Sequence, residues 1–231
     1  ALPISLFDLA SMGQYLGCAF LGAGLTGIAV FLLGQARETG TNPVRLVLAG
    51  AGLSVMLASL TGIIVLNAPP EVFDRFRHWA AGSLSGSGFA LLGWPGLAIG
   101  AGLAAAFALA ARLNALALGQ EIGRALGVDL RLTWLLACLA VMLLAGAATA
   151  LAGPIAFVGL VAPHLARLLA GPDQRWILPF SALIAAGLLL GADILGRLLA
   201  APAEIAAGIV ALLLGGPAFI VLVRRFRLSR L

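Results

Sequence analysis

The ionisable residues within or beside the long apolar runs are few, and they limit the chemistry open to this chain. Asp193 and Arg197 are four residues apart, so on a helix they share one face and can form an ion pair. Glu204 follows Pro202 at the start of the next apolar run, where a carboxylate suits a helix N-terminus. Asp193 is the only carboxylate deep inside a run, so the carboxylate pair of an intramembrane protease is absent and catalysis is not expected.

The short motifs of nucleotide, metal and acyl-transfer chemistry are also absent. The sequence has no G-x-x-x-x-G-K-[ST] loop, no H-E-x-x-H and no G-x-S-x-G. Its two histidines, His78 and His164, are far apart and fall on opposite sides of the topology predicted below. Cys18 and Cys138 lie within apolar runs and are interpreted as small buried apolar residues, not as a disulfide or metal pair. We therefore expect no cofactor, no bound metal and no catalytic residue.

Composition predicts an integral membrane protein. Of the 231 residues, 62% are hydrophobic, 30 are glycine and only 10% are charged, whereas a soluble domain has about 25% charged residues. The apolar runs are continuous, and several reach the ~20 residues that a membrane-spanning helix needs. Strands of a membrane barrel would instead alternate over about ten residues. A soluble domain, a disordered chain and a disulfide scaffold are excluded, and an all-α polytopic membrane protein is predicted.

Seven apolar segments are predicted to cross the membrane. The fifth is short and contains Pro154 and Pro163, so we expect it to be tilted, to be broken or to cross at a thin place. A proline is tolerated in a span when neighbouring helices satisfy the backbone groups that it frees. The segments are residues 13–34, 44–67, 92–111, 131–151, 154–169, 176–197 and 203–223.

Arginine gives these segments an orientation. All 14 basic residues are arginine; 11 lie in residues 35–45, 112–131, 167–175 and 224–231, and the other three lie on the opposite side. Cytoplasmic loops are enriched in basic residues, so the side with 11 is predicted to be cytoplasmic. The net charge of +5 is thereby explained without a nucleic-acid partner. The chain begins at Ala1 on the outer side, as expected of a cut within a longer protein.

Two connections have features of their own. The outer segment 69–88 opens with a proline pair and then places aromatic residues among charges, which predicts a short interfacial helix followed by a flexible turn. In the inner segment 112–131, polar residues interrupt the apolar pattern before Gly127, a predicted helix stop, and Asp129, a predicted helix cap. The inner segment is therefore predicted to form a short cytoplasmic helix and a corner.

The chain closely resembles a known family in several stretches. From Gly153 to Arg225, with GPIAFVGLVAPHLAR and GADILGRLLAAPAEIAAGIVALLLGGPAF, it resembles the C-terminal part of permease subunits of ABC importers for iron–siderophore complexes, haem and vitamin B12, the FecCD-type family. NALALGQEIGRALGV resembles the cytoplasmic coupling region of that family, and RFRHWAAGSLSG resembles its outer segment. Family members have about ten spans, so residues 1–231 are expected to be one permease domain that lacks three N-terminal spans.

This resemblance implies a transporter subunit and not an enzyme. It implies a type II ABC importer permease of the bacterial cytoplasmic (inner) membrane, surrounded by lipid, whose favoured cargo is a ferric siderophore. Its implied partners are a second permease subunit (homodimer, heterodimer or fused half), an ATP-binding subunit on the cytoplasmic side and a periplasmic or lipid-anchored substrate-binding protein on the outer side. Haem and vitamin B12 remain alternative cargoes. A secondary transporter, which would need paired ionisable residues at midplane, and a non-transport membrane subunit are alternatives of other classes.

The resemblance also suggests roles for individual residues. It makes residues around 119–127 the coupling helix, and the basic residue Arg197 a docking position for acidic residues of the binding protein. Glu204 is taken as a second docking residue, because its position at the outer start of the last span allows it to face a partner. Spacing alone leaves a second interpretation open, in which Arg197 only neutralises Asp193. Pro163, His164 and Arg167 are taken as structural family markers. The coupling helix would use polar contacts from Gln120, Glu121 and Arg124 and the shape of Gly119, Gly123 and Gly127.

Overall fold

A computed structural model of the chain describes residues 12–36, 40–41, 43–85, 88, 93–200 and 204–228. Nearly all of these residues are helical, which confirms the prediction of an all-α chain. The only strands among them are Gln35–Ala36 (β1) and Gly40–Thr41 (β2), which pair antiparallel. The helices in the described residues are α1 Met12–Gly34, α2 Pro43–Leu66, α3 Pro70–Ala80, α4 Gly93–Ala117, α5 Gln120–Ala125, α6 Leu130–Ala152, α7 Val158–Ala170, α8 Gln174–Leu199 and α9 Ala207–Leu228.

Seven of these helices correspond to the predicted apolar segments. Four are long and apolar enough to cross a membrane: α2 over Val47–Leu66, and α4, α6 and α8 over their whole length. The other apolar stretches in the described residues are shorter, and they are Phe20–Val30 within α1, the whole of α7, and Ala207–Ile220 within α9. The number of crossings therefore stays a prediction. Helix α4 continues six residues past the predicted boundary at 111, and α3 is shorter than the predicted outer segment.

In the fifth predicted segment the helix is broken only at its start, and from Val158 it continues through Pro163. Residues 153–157 are not helical, and α7 has 13 residues, which extend about 20 Å at 1.5 Å per residue. The break is at Phe157, whose backbone has φ 66° and ψ −31°. Around it the Val158 N–H donates to the Ala156 carbonyl oxygen over 2.9 Å, a γ-turn of the rare positive-φ kind. A helix cannot run through this turn.

The chain forms two compact units. Unit 1 comprises Ala1–Arg77 and Gly88–Leu151, and unit 2 comprises His78–Ser87 and Ala152–Leu231. In unit 1, α1 packs closely on α6, because a Cβ added at Gly146 would lie 3.3 Å from the Cβ of Ala23 and 3.5 Å from the ring of Phe20. Such small residues allow neighbouring helices to approach closely in a membrane, where apolar burial alone does not drive association.

Unit 2 has a small apolar core between its last two long helices. Ala192 of α8 is buried together with Val210 and Ala211 of α9. Three residues pack around them: Ile155 from the segment before α7, Val158 from the start of α7, and Ile205 from the segment before α9. Immediately before α7, the ring of Phe157 meets that of Phe219 of α9 edge-on, with ring centroids 6.3 Å apart.

Candidate functional site

The predicted coupling segment folds as the sequence indicates. Helix α5 covers Gln120–Ala125, and its C-terminus is closed by two backbone hydrogen bonds. The Gly127 N–H donates to the Arg124 carbonyl oxygen over 2.9 Å, and the Val128 N–H donates to the Gly123 carbonyl oxygen over 3.0 Å. This pair of bonds is a Schellman motif, which needs a left-handed residue after the helix. Gly127 supplies it with φ 81°, so the predicted helix stop is confirmed.

The next helix is capped by the residue that the sequence suggested. One carboxylate oxygen of Asp129, Oδ1, accepts from the Leu132 N–H over 3.1 Å, as an N-cap does for the third residue of a helix. The Thr133 hydroxyl donates to the Asp129 carbonyl oxygen over 2.7 Å, and Thr133 is buried. The start of α6 is thus fixed, and with it the end of the coupling segment.

Helix α5 has one face against α4 and another that is open. Gly123 is buried, and a Cβ added there would lie 2.9 Å from Cδ2 of Leu116. Glu121 is exposed in the first turn and Arg124 is exposed in the last turn. Each charge is at the helix end whose partial charge is opposite to its own.

An apolar set on the coupling segment was missed from the sequence. Leu118, Ile122 and Leu126 are spaced four residues apart, and all three side chains are exposed. In a segment predicted to lie outside the bilayer, large exposed apolar side chains are typical of a protein-binding surface. The regular spacing of these three apolar residues could have indicated the surface. From the sequence, the contacts were instead assigned to the polar residues between them.

Arg197 joins two carboxylates at the C-terminal end of α8. Its Nε donates to Asp193 Oδ2 over 2.9 Å and its Nη2 donates to Asp193 Oδ1 over 3.4 Å, so the predicted ion pair is confirmed. Its third nitrogen, Nη1, lies 3.7 Å from Oε1 of Glu204. The structure therefore brings together Arg197 and Glu204, both of which were predicted as docking residues. The fourth member, Ser85, was not predicted; its hydroxyl donates to Oε2 of Glu204 over 2.8 Å.

Exposure differs sharply among the charged members of this cluster. The Asp193 side chain is 17% exposed, whereas those of Arg197 and Glu204 are 47% and 53% exposed. Two carboxylates and one guanidinium give the cluster a formal charge of −1. Glu204 is thus both the more accessible acid and the one with the longer contact to Arg197.

Close backbone contacts hold the cluster in place. The Ile205 N–H donates to the Gly196 carbonyl oxygen over 3.3 Å, and a Cβ added at Gly196 would overlap the Ile205 carbonyl oxygen. On the other side, the Gly208 N–H donates to the Gly82 carbonyl oxygen over 2.8 Å. Because Gly196 has no side chain, the segment that contains Ile205 can pack directly on α8, and this brings Glu204, the residue before Ile205, next to Arg197.

The remaining predicted residues belong to other helices. Pro163, His164 and Arg167 all lie on α7, with Arg167 exposed in its last turn. Cys18 and Cys138 are free and only half-buried, so they are less buried than predicted. Within the described ranges, no group of three or more His, Cys, Asp or Glu side chains is arranged to hold a metal ion.

The fold and these sites define a class of protein: an all-helical, multi-pass membrane chain whose polar residues are concentrated at helix ends and connections. Comparison with known proteins gives the family. The chain belongs to the FecCD transport family, whose sequence pattern it matches over residues 1–225.

Named relatives are similar along nearly the whole chain. The ferric enterobactin transport system permease protein FepD of Escherichia coli (strain K12) is 41% identical over 97% of this chain. The hemin transport system permease protein HmuU of Yersinia pestis is 37% identical over 99% of the chain. A solved metal-chelate type ABC transporter in an inward-facing conformation superposes with a TM-score of 0.84 at 29% identity, covering 97% of this chain and 71% of that one. The chain spans 66% of the length of FepD, a little under two thirds.

Proposed function

We propose that this chain is the larger part of a permease subunit of a metal-chelate ABC importer in the bacterial inner membrane, and that its cargo is a ferric siderophore. The observation that carries the proposal is the family match along residues 1–225. Relatives named for ferric enterobactin and for siderophores are 41% and 38% identical, and the relative named for hemin is 37% identical. Haem therefore remains the second candidate cargo, and its relative is nearly as similar.

We propose that residues 118–127 couple the permease to a separate ATP-binding subunit. The support is the combination of an exposed apolar set, Leu118, Ile122 and Leu126, with the exposed charges Glu121 and Arg124. Apolar side chains would supply the buried part of such an interface and the charges its polar rim. In this arrangement the partner hydrolyses ATP, and the permease only transmits the movement.

The outer partner is proposed to be a substrate-binding protein that docks at Arg197 and Glu204. Half-exposed side chains at the end of a span are accessible to a protein on that side of the membrane. A guanidinium binds a carboxylate with two parallel hydrogen bonds, which gives both strength and orientation. We propose Arg197 as the cation that receives an acidic residue of this partner.

A second permease subunit is proposed to cover α2. None of the residues in the most apolar 18-residue window of this helix is buried within the described chain. The window also contains Ser54 and Ser59, whose hydroxyls donate to the carbonyl oxygens of Gly50 and Val55. Polar and small residues in a span favour a helix–helix interface over lipid. Homodimer, heterodimer and fused half all provide such a partner.

Uptake measurements test the proposal. The full-length protein would be produced with its ATP-binding subunit and binding protein in cells that lack siderophore and haem uptake. We expect ATP-dependent accumulation of iron supplied as a ferric siderophore. Accumulation from hemin alone would assign the haem cargo instead. Uptake that continues when the ATP-binding subunit cannot hydrolyse ATP would favour a secondary transporter.

A further inference from the structure

The guanidinium of Arg197 is shared unequally between two carboxylates. Asp193 is on the same helix, receives two nitrogens at 2.9 and 3.4 Å, and is mostly shielded from solvent. Glu204 is contacted by one nitrogen at 3.7 Å and is more than half exposed. An incoming carboxylate would therefore displace Glu204 and leave the pair with Asp193 intact.

We infer that Glu204 is an internal competitor for the docking carboxylate: it occupies the open nitrogen of Arg197 in the unbound permease and must give way when the binding protein docks. This inference rests on the proposed docking of that protein at Arg197, and it gives Glu204 a role opposite to that of an adhesive contact. The partner's acid replaces one carboxylate by another, so Arg197 keeps two anionic neighbours in both states.

Ser85 can hold the side chain of Glu204 after Arg197 has released it. Its hydroxyl donates to Oε2 of Glu204 over 2.8 Å, whereas Arg197 approaches the other oxygen, Oε1. Glu204 can thus lose Arg197 and keep one hydrogen bond. The close backbone contact between Gly196 and Ile205 keeps the residue next to Glu204 in position, so only the side chain needs to move. Exchange at this site requires little rearrangement of the backbone.

Charge also opposes the first approach of an acidic partner. With both acids ionised, the cluster has a formal charge of −1, so Arg197 presents no net positive charge to an incoming carboxylate. Complementary charge raises association rates, and like charge lowers them. Removing the charge of Glu204 should therefore increase affinity for the binding protein, and part of the increase should be a faster association rate.

The test measures affinity of the full-length permease, complexed with its ATP-binding subunit in lipid nanodiscs, for the purified binding protein of the same importer. Glu204→Gln should tighten binding roughly 1.4- to fivefold, the range for exposed ion pairs. Glu204→Asp keeps the charge but withdraws the carboxylate by one C–C bond, about 1.5 Å. It should also tighten binding, by a smaller factor. Weaker binding in either variant would overturn the inference and make Glu204 a direct contact.

Two further measurements distinguish competition between Glu204 and the partner's carboxylate for Arg197 from a general effect of removing one negative charge. Asp74→Asn makes the same charge change at a separate exposed pair, Asp74 with Arg77 at 3.5 Å, and should leave affinity unchanged. In an Arg197→Gln background, Glu204→Gln should tighten binding by a clearly smaller factor, because the group that Glu204 occupies is gone and only the relief of charge repulsion remains. An equal gain in the Asp74 variant, or a gain of undiminished size without Arg197, would show that Glu204 does not compete for Arg197 and would overturn the inference.

The variant Arg197→Gln tests docking at Arg197 separately from the role of Glu204. Arg197→Gln alone should weaken binding roughly tenfold or more if Arg197 receives the partner's carboxylate. If affinity is unchanged in that variant while the complex remains stable, docking at Arg197 is wrong, whatever Glu204 does. If affinity falls and Glu204→Gln does not raise it, docking stands and the competitor role is wrong.

Discussion

Replacing Gly196 by alanine tests the close approach between α8 and the segment that carries Glu204. The added Cβ would overlap the Ile205 carbonyl oxygen and lie 3.4 Å from both the Ile205 carbonyl carbon and Cγ2 of Val210. The obstacle is backbone, which cannot rotate away as a side chain can, so overpacking should cost about 1–3 kcal/mol. Alanine regains about 0.5–1 kcal/mol over glycine in a helix interior. The expected net loss of stability is about 0–2.5 kcal/mol relative to the natural sequence, and about 1–3 kcal/mol relative to a glycine-to-alanine change that causes no overlap.

Gly187 provides a matched control on the same helix. A Cβ added there would meet no atom within 4 Å, so Gly187→Ala keeps only the helical gain. Thermal unfolding of the full-length permease in detergent, followed by tryptophan fluorescence, compares the two. For a chain of this size about 1 kcal/mol corresponds to a change in Tm of about 2–4 °C. Gly196→Ala should therefore have a Tm about 2–12 °C below that of Gly187→Ala, and Gly187→Ala should not lower Tm. Equal Tm values for the two variants would refute the packing argument.

Three further changes give definite outcomes. Phe157→Ala should be less stable than Phe157→Gly by about 1 kcal/mol in the same assay, because both lose the ring but only alanine retains the penalty of positive φ. Gly123→Ala should keep iron uptake, since the obstructing atom is the flexible tip of Leu116, whereas Gly123→Trp should abolish uptake and co-purification of the ATP-binding subunit. In a background without the native cysteines, an impermeant thiol reagent should label Glu71→Cys in intact cells and spare Arg175→Cys; the reverse pattern would invert the predicted topology.

Features set by short-range spacing were predicted correctly. The pairing of Asp193 with Arg197 needs only a helix that places residues four apart on one face. The stop at Gly127 and the cap at Asp129 depend on backbone groups within a few residues. In each of these cases the interacting atoms are carried by one local segment, so residue type and spacing suffice.

Features that depend on contacts between distant segments were missed by the sequence analysis or were predicted only in part. Ser85 and Glu204 form a hydrogen bond although 119 residues separate them, and nothing local to either residue indicates the other. The late start of α7 has a similar origin. Phe157 has a residue type that seldom adopts positive φ, so its turn depends on contacts such as the ring of Phe219, which belongs to another helix.

The short length of α7 has a consequence for how the chain enters the membrane during synthesis. About 13 residues extend ~20 Å, whereas the hydrocarbon layer is about 30 Å thick. The helix also carries two polar side chains, His164 at its midpoint and Arg167 in its last turn. Such a segment is a poor insertion signal by itself. Residues 171–173 connect it to α8, which is long and strongly apolar. We expect the insertion machinery to insert α7 and α8 together as one helical hairpin. Helix α7 would then enter the membrane only after α8 has been synthesised.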